Sequence, residues 1–169
     1  MNTSDNTETE ITELIARVEE QERRLVFATF DYDDAWRLGN VLADIARARR
    51  APVVIDIRRN GQQLFHLALA GSSADNDAWI LRKSRTADRY GTSSYLVGLQ
   101  FVAEGTTFEA SSRLDKDDYA GHGGAFPITL AGTGPVGTVA VSGLPHAEDH
   151  ALIVEALEAY LAKPLPELG

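Results

Sequence analysis

Ile11, Leu14, Ile15 and Val18 recur at the spacing of one helix face, which predicts an amphipathic helix from about Thr9 to Arg24. Leu25 to Thr29 is a short strand candidate. Asp31 to Asp34 then offers a cap and first-turn acids for a helix to about Arg50, whose apolar face holds Leu38, Val41, Leu42 and Ile45. Arg47, Arg49 and Arg50 close that helix where positive charge suits its dipole, and they read as solvated end charges.

The pattern then changes from helical to extended. Pro52–Arg59 and Gln62–Ala70 flank Asn60-Gly61, a pair suited to the two-residue turn whose central residues both need positive φ. That turn sets Ile55 opposite His66 and Asp56 opposite Phe65. One face then carries Val53, Ile55, Ile57, Leu64, His66 and Ala68, and the other Val54, Asp56, Arg58, Gln63, Phe65 and Leu67. Both faces are substantially apolar, so helices or another subunit must cover each side.

Asp75 is the expected N-cap of a helix through Trp79 and Ile80 to about Arg89, stopped by Gly91. A further helix is expected from Ser93 or Ser94 to Glu104, with Tyr95, Leu96, Leu99 and Val102 inward. Arg113 to Tyr119 is a charged loop leading into Gly121. Strands at about Phe126–Leu130 and Val136–Ser142 surround a Gly-Thr-Gly-Pro turn. Pro145 then starts a last helix with Leu152, Ile153, Leu157, Tyr160 and Leu161 as its buried stripe. Lys163-Pro-Leu-Pro ends that helix and favours an extended tail.

This order predicts an α+β fold with a mostly antiparallel sheet of about five strands and helices packed on it. Residues 10–162 form the expected single domain, between a flexible N-terminal tail at 1–9 and a C-terminal tail at 163–169. The 169 residues suffice for one core, and no apolar run approaches the length of a membrane span. A polar, acidic start without a signal-peptide pattern gives a cytoplasmic expectation. The absence of cysteine excludes disulfides, thiolate metal sites and cysteine nucleophiles. A net charge of −9 argues against a nucleic-acid partner.

Few side chains suggest chemistry by themselves. Arg82, Lys83, Arg85 and Arg89 form a basic stripe that reads either as surface pairing or as an anion clamp. His66 reads as a satisfied core histidine rather than a ligand. His146 and His150 have the spacing of two imidazoles sharing a metal, yet no third ligand accompanies them and a helix start disfavours a cation, so no metal site is expected. Glu148 and Asp149 likewise oppose phosphate capture there. Ser142 lacks the flanks of a nucleophile elbow and reads as a turn or cap hydroxyl.

Several ordered motifs carry a family likeness. Asp-Tyr-Asp-Asp-Ala at 31–35, Leu-Phe-His-Leu-Ala-Leu-Ala-Gly at 64–71 and Asp-Asn-Asp-Ala-Trp-Ile-Leu-Arg-Lys at 75–83 are followed by Ser-Ser-Tyr at 93–95. His-Gly-Gly-Ala-Phe-Pro-Ile at 122–128, Val-Ser-Gly-Leu-Pro and Glu-Asp-His complete the set. Together they resemble uncharacterised protein family 0303, within the wider haem-degrading, GlcG/HbpS-like and PduO C-terminal-like group.

The resemblance covers about residues 10 to 162. It implies binding of haem or a related ligand and assembly of a homo-oligomer. On that implication His122 and Tyr119 are candidate axial ligands, with Gly123 and Gly124 leaving room for a flat cofactor. Arg82, Lys83 and Arg85 are candidates for meeting its carboxylates. Two functions are open on this basis: a haem-related or other small anionic-ligand binding protein with degradative activity as its enzymatic extension, or a non-enzymatic oligomeric interaction platform.

Overall fold

The computed structural model describes residues 3–162. Its elements are α1 (Thr3–Arg24), α2 (Tyr32–Ala48), β1 (Val54–Arg59), β2 (Gln62–Ala68), α3 (Ala74–Tyr90) and α4 (Ser94–Ala103). A short α5 (Phe108–Ser111), β3 (Ala125–Leu130), β4 (Gly134–Ser142) and α6 (His146–Ala162) complete the chain order. The expected tail at 163–169 lies outside the described residues. At the other end α1 begins at Thr3, earlier than the expected start near Thr9.

The sheet has four strands in the order β2-β1-β4-β3, every pair antiparallel. The expected fifth strand at Leu25–Thr29 is reduced to one parallel bridge between Phe27 and Leu130. Backbone bonds join Phe27 to Thr129 and Ala131 only, and Phe30 turns away to pack edgewise on Phe27. Two hairpins thus stand side by side, joined through β1 and β4.

The first hairpin corrects the expected register. Asn60 and Gly61 both have positive φ, as their turn requires, and Arg59 pairs with Gln62. Between Ile57 and Arg58 the register shifts, so Asp56 faces His66 and Ile55 faces Leu67. Leu64 is the extra residue of a bulge, which increases local twist and re-aims the side chains beyond it. Phe65 and Leu67 thereby join the core of Ile55, Ile57, Phe126, Ile128, Val139 and Val141. His66 moves to the opposite face, where it is exposed and meets Asp77 of α3 at 2.7 Å. It is not a core histidine.

The chain's own helices cover both sheet faces. On one face α2 and α6 pack Leu38, Leu42, Ala46, Leu152, Ile153 and Leu157 onto the larger core. At about 25 cal/mol per Å² of apolar surface removed from water, this layer supplies the main stabilisation. On the other face α3 sets Ile80 and Ala87 against Val54, Ala125 and Ala140. α4 lies beside α3, and α1 lies on α4 through Val18, Tyr95 and Leu96. Glu22 of α1 accepts a 2.7 Å bond from the Ser93 amide, where α4 begins.

Two helices differ in detail from expectation, one in its cap and one in its covered face. Ser73, rather than Asp75, is the N-cap of α3, forming a capping box with Asn76. Asp75 sits in the first turn instead. In α4, Val102 is 46% exposed, not inward, because the covered face turns through Val97. No helix among the described residues is long and apolar enough to cross a membrane.

Candidate functional site

Lys83 is the anchor of the site. It is 2% exposed, and its Nζ donates to Gly123 O at 3.1 Å, Val141 O at 2.7 Å and Asp149 Oδ2 at 3.2 Å. Every N–H of the ammonium therefore has an acceptor. Burial pushes the Lys83 pKa down and the Asp149 pKa up, and the mutual attraction of the pair opposes both shifts. Asp149 Oδ1 also accepts the Leu144 amide at 3.0 Å. One ion pair thus ties α3, the glycine loop, β4 and the start of α6 together.

The neighbouring basic residues point elsewhere. The Arg82 guanidinium lies over the Trp79 ring, 4.0 Å from its centroid, and Arg85 pairs with Asp118 in solvent at 3.1 Å. Arg82, Lys83 and Arg85 therefore do not converge on one point. Tyr119 lies under the Arg89 guanidinium, 5.8 Å from its ring centroid.

Gly123 and Gly124 serve the packing of this anchor. Both are buried, and a Cβ on Gly124 would collide with Lys83 Nζ and the Val141 carbonyl, at a φ of +124° that disfavours any side chain. A Cβ on Gly123 would strike the His146 carbonyl. The loop is held close to the protein's own backbone.

His122 stands on the outer side of that loop. Its Nε2 meets Glu109 Oε1 at 3.0 Å, its side chain is 41% exposed, and its ring lies edgewise to Trp79 and to His146 at centroid distances of 5.4 and 5.5 Å. His146 Nδ1 accepts the Gly123 amide at 3.2 Å, which leaves the ring proton on Nε2. Partial burial, then the charges of His122 and Lys83, hold the His146 pKa below its ordinary value.

The imidazoles of His122 and His146 border two cavities. One, of about 340 Å³, lies between the first turns of α3 and α6 and includes Trp79, Lys83 and Ser142 in its lining. The other, of about 230 Å³, is more apolar, with Tyr95, Leu99, Val102 and Phe108. Tyr119, Arg82 and Arg85 line neither of these two.

His150 does not join His146 on a metal. It is 3% exposed, its Nε2 meets Gln21 Oε1 at 2.8 Å, and its Nδ1 is enclosed without a partner among the described residues. Burial, reinforced by His146, pushes its pKa down to about 4. No group of three or more metal-capable His, Cys, Asp or Glu side chains occurs among the described residues. Glu109 carried no sequence signal, because its partner is thirteen residues away across a turn.

The fold is that of a known class. The family described as "Haem degrading protein HbpS-like" matches residues 30–158, and the chain belongs to that family. A UPF0303 protein of Streptomyces avermitilis is 66% identical over 150 residues, covering 89% of this chain and 92% of the relative. The crystal structure of Ybr137w protein superposes with a TM-score of 0.79 at 37% identity, covering 86% of each chain. The PduOC:Heme complex shares the fold at 19% identity, with a TM-score of 0.66 over 78% of this chain and 94% of that one.

Proposed function

We propose that this chain binds a haem-related or other small anionic ligand at the surface where His122 separates the two cavities. The observation that carries this reading is the His122–Glu109 pair: a part-exposed imidazole whose Nε2 is held by a carboxylate, the kind of partner that fixes ring orientation and raises basicity in metal-binding histidines. The residues fit a flat macrocycle in kind, since an apolar trough and a polar cleft flank the ring. The family description and the haem complex of a fold relative support the same class.

His122 would hold such a group, through Nδ1 or by exchanging Glu109 for iron at Nε2. Trp79 and Phe108 would flank it, and Arg82, stacked on the Trp79 ring, is the basic side chain nearest to hand for a carboxylate. Haem iron, when bound, supplies a redox-active centre. Glu109 and Trp79 orient the imidazole, and Lys83 holds the loop that carries it.

Hemin titration of the purified chain tests the reading. A Soret shift that saturates, and that weakens about tenfold or more in His122→Ala but not in His66→Ala, is expected from loss of an axial ligand. An unchanged spectrum and affinity in folded His122→Ala removes His122 from the role. Oxidative turnover of the same complex decides whether binding leads to degradation.

A second reading concerns assembly. The helices already cover both sheet faces, yet Trp36 is 64% and Tyr32 58% exposed on α2, beside the edge strand β2. Exposed aromatics of this size favour a subunit contact, so a homo-oligomer is proposed with this face buried in it. Light scattering after size exclusion should give a multimer that Trp36→Glu dissociates; a wild-type monomer at micromolar concentration rejects the assembly.

A further inference from the structure

Ser142 ends β4 opposite Val54, on the same face as Ala140, so its side chain turns toward α3. The residue is 4% exposed and lines the 340 Å³ cleft, but its hydroxyl makes no hydrogen bond with any described residue. The Oγ itself is not enclosed, unlike Ser84 Oγ and Thr138 Oγ1, so it is open to a partner in the cleft. His146 lines the same cleft, and with Nδ1 committed to the Gly123 amide its Nε2–H is a donor that makes no hydrogen bond with any described residue.

Two helix starts meet at the cleft, and most of their first-turn acids are engaged elsewhere: Asp77 pairs with His66, Asp149 with Lys83, and Glu148 lines a different cavity. Asp75 and Asn76 belong to the first turn of α3, and His146 opens α6, so two seventeen-residue helices direct their positive ends at one space. Lys83 lies in the wall and matches the charge of Asp149. Of the acids that line the cleft, Asp75 is exposed and makes no ion pair among the described residues, which disfavours ligands of higher negative charge.

We infer that this cleft is a binding site for a single carboxylate group, with Ser142 Oγ and His146 Nε2 as its donors and Trp79 as an apolar wall. The inference rests on the ligand-binding reading of the cleft and does not require haem. A carboxylate accepts both donors, whereas a phosphate dianion meets stronger repulsion from Asp75.

Trp79 reports on the site once Trp36, the other tryptophan, is replaced by Phe. In that background benzoate should quench Trp79 fluorescence saturably, and benzyl alcohol should not. Ser142→Ala, which removes no intramolecular hydrogen bond, should weaken benzoate about fivefold or more while leaving thermal stability intact. Asp75→Asn should raise the affinity for inorganic phosphate. Equal responses to benzoate and benzyl alcohol, or unchanged benzoate affinity in Ser142→Ala, would overturn the assignment. Benzoate saturation in a protein that does not bind hemin leaves the carboxylate site standing and removes the haem reading; hemin binding without benzoate saturation does the reverse.

Discussion

The Gly123 amide donates to His146 Nδ1 at 3.2 Å, and this bond determines what the His146 side chain can offer a ligand. With its proton on Nε2, the ring presents a donor to the cleft rather than a lone pair to a metal. His122, held through Nε2 by Glu109, has its other nitrogen free for the opposite role. Two histidines 5.5 Å apart are thus given different chemistry by their second partners.

The Lys83–Asp149 pair should behave as a buried ion pair. Lys83→Met leaves Asp149 charged in a dry environment and should cost about 3 kcal/mol or more, because the surviving charge is uncompensated. Lys83→Met with Asp149→Asn should recover part of that loss. Urea denaturation of the two variants checks this; a single-variant cost below about 1 kcal/mol would mean that water already reaches the pair.

Gly124→Ala should destabilise the fold by about 2 to 4 kcal/mol, since the added methyl meets Lys83 Nζ and the Val141 carbonyl at a positive φ. Gly61→Ala meets no neighbour and should cost only its positive-φ penalty, about 1 kcal/mol. Comparing the two thermal midpoints separates collision from backbone strain. Equal losses would contradict the packing role of Gly124.

Acid should unfold the protein partly through His150. Its folded pKa of about 4 lies below the ordinary value of 6.5, so the unfolded chain takes up the proton first. The contribution is fully present above pH 6.5 and is lost as pH falls toward 4, about 3 kcal/mol in all. Stability measured between pH 7 and pH 4 should therefore fall less steeply in His150→Gln than in the wild type. Parallel slopes would show that other groups carry the acid sensitivity.

Local signals in the sequence determined the order of elements, the α+β class and most helix ends. Asn60-Gly61 dictated its turn because few residue pairs accept two positive φ values, and the stripes of α2 and α6 revealed their buried faces. The ordered motifs also carried the family. Tertiary structure decided the bulge at Leu64: the turn pins Arg59 to Gln62 while the core draws Phe65 and Leu67 inward, and only an extra residue satisfies both. It likewise decided that Lys83 of the basic stripe faces inward, since its acceptors Gly123, Val141 and Asp149 come from three distant segments. Periodicity reports which side of a helix is apolar, but a buried charge is placed by partners that only folding brings within hydrogen-bond reach.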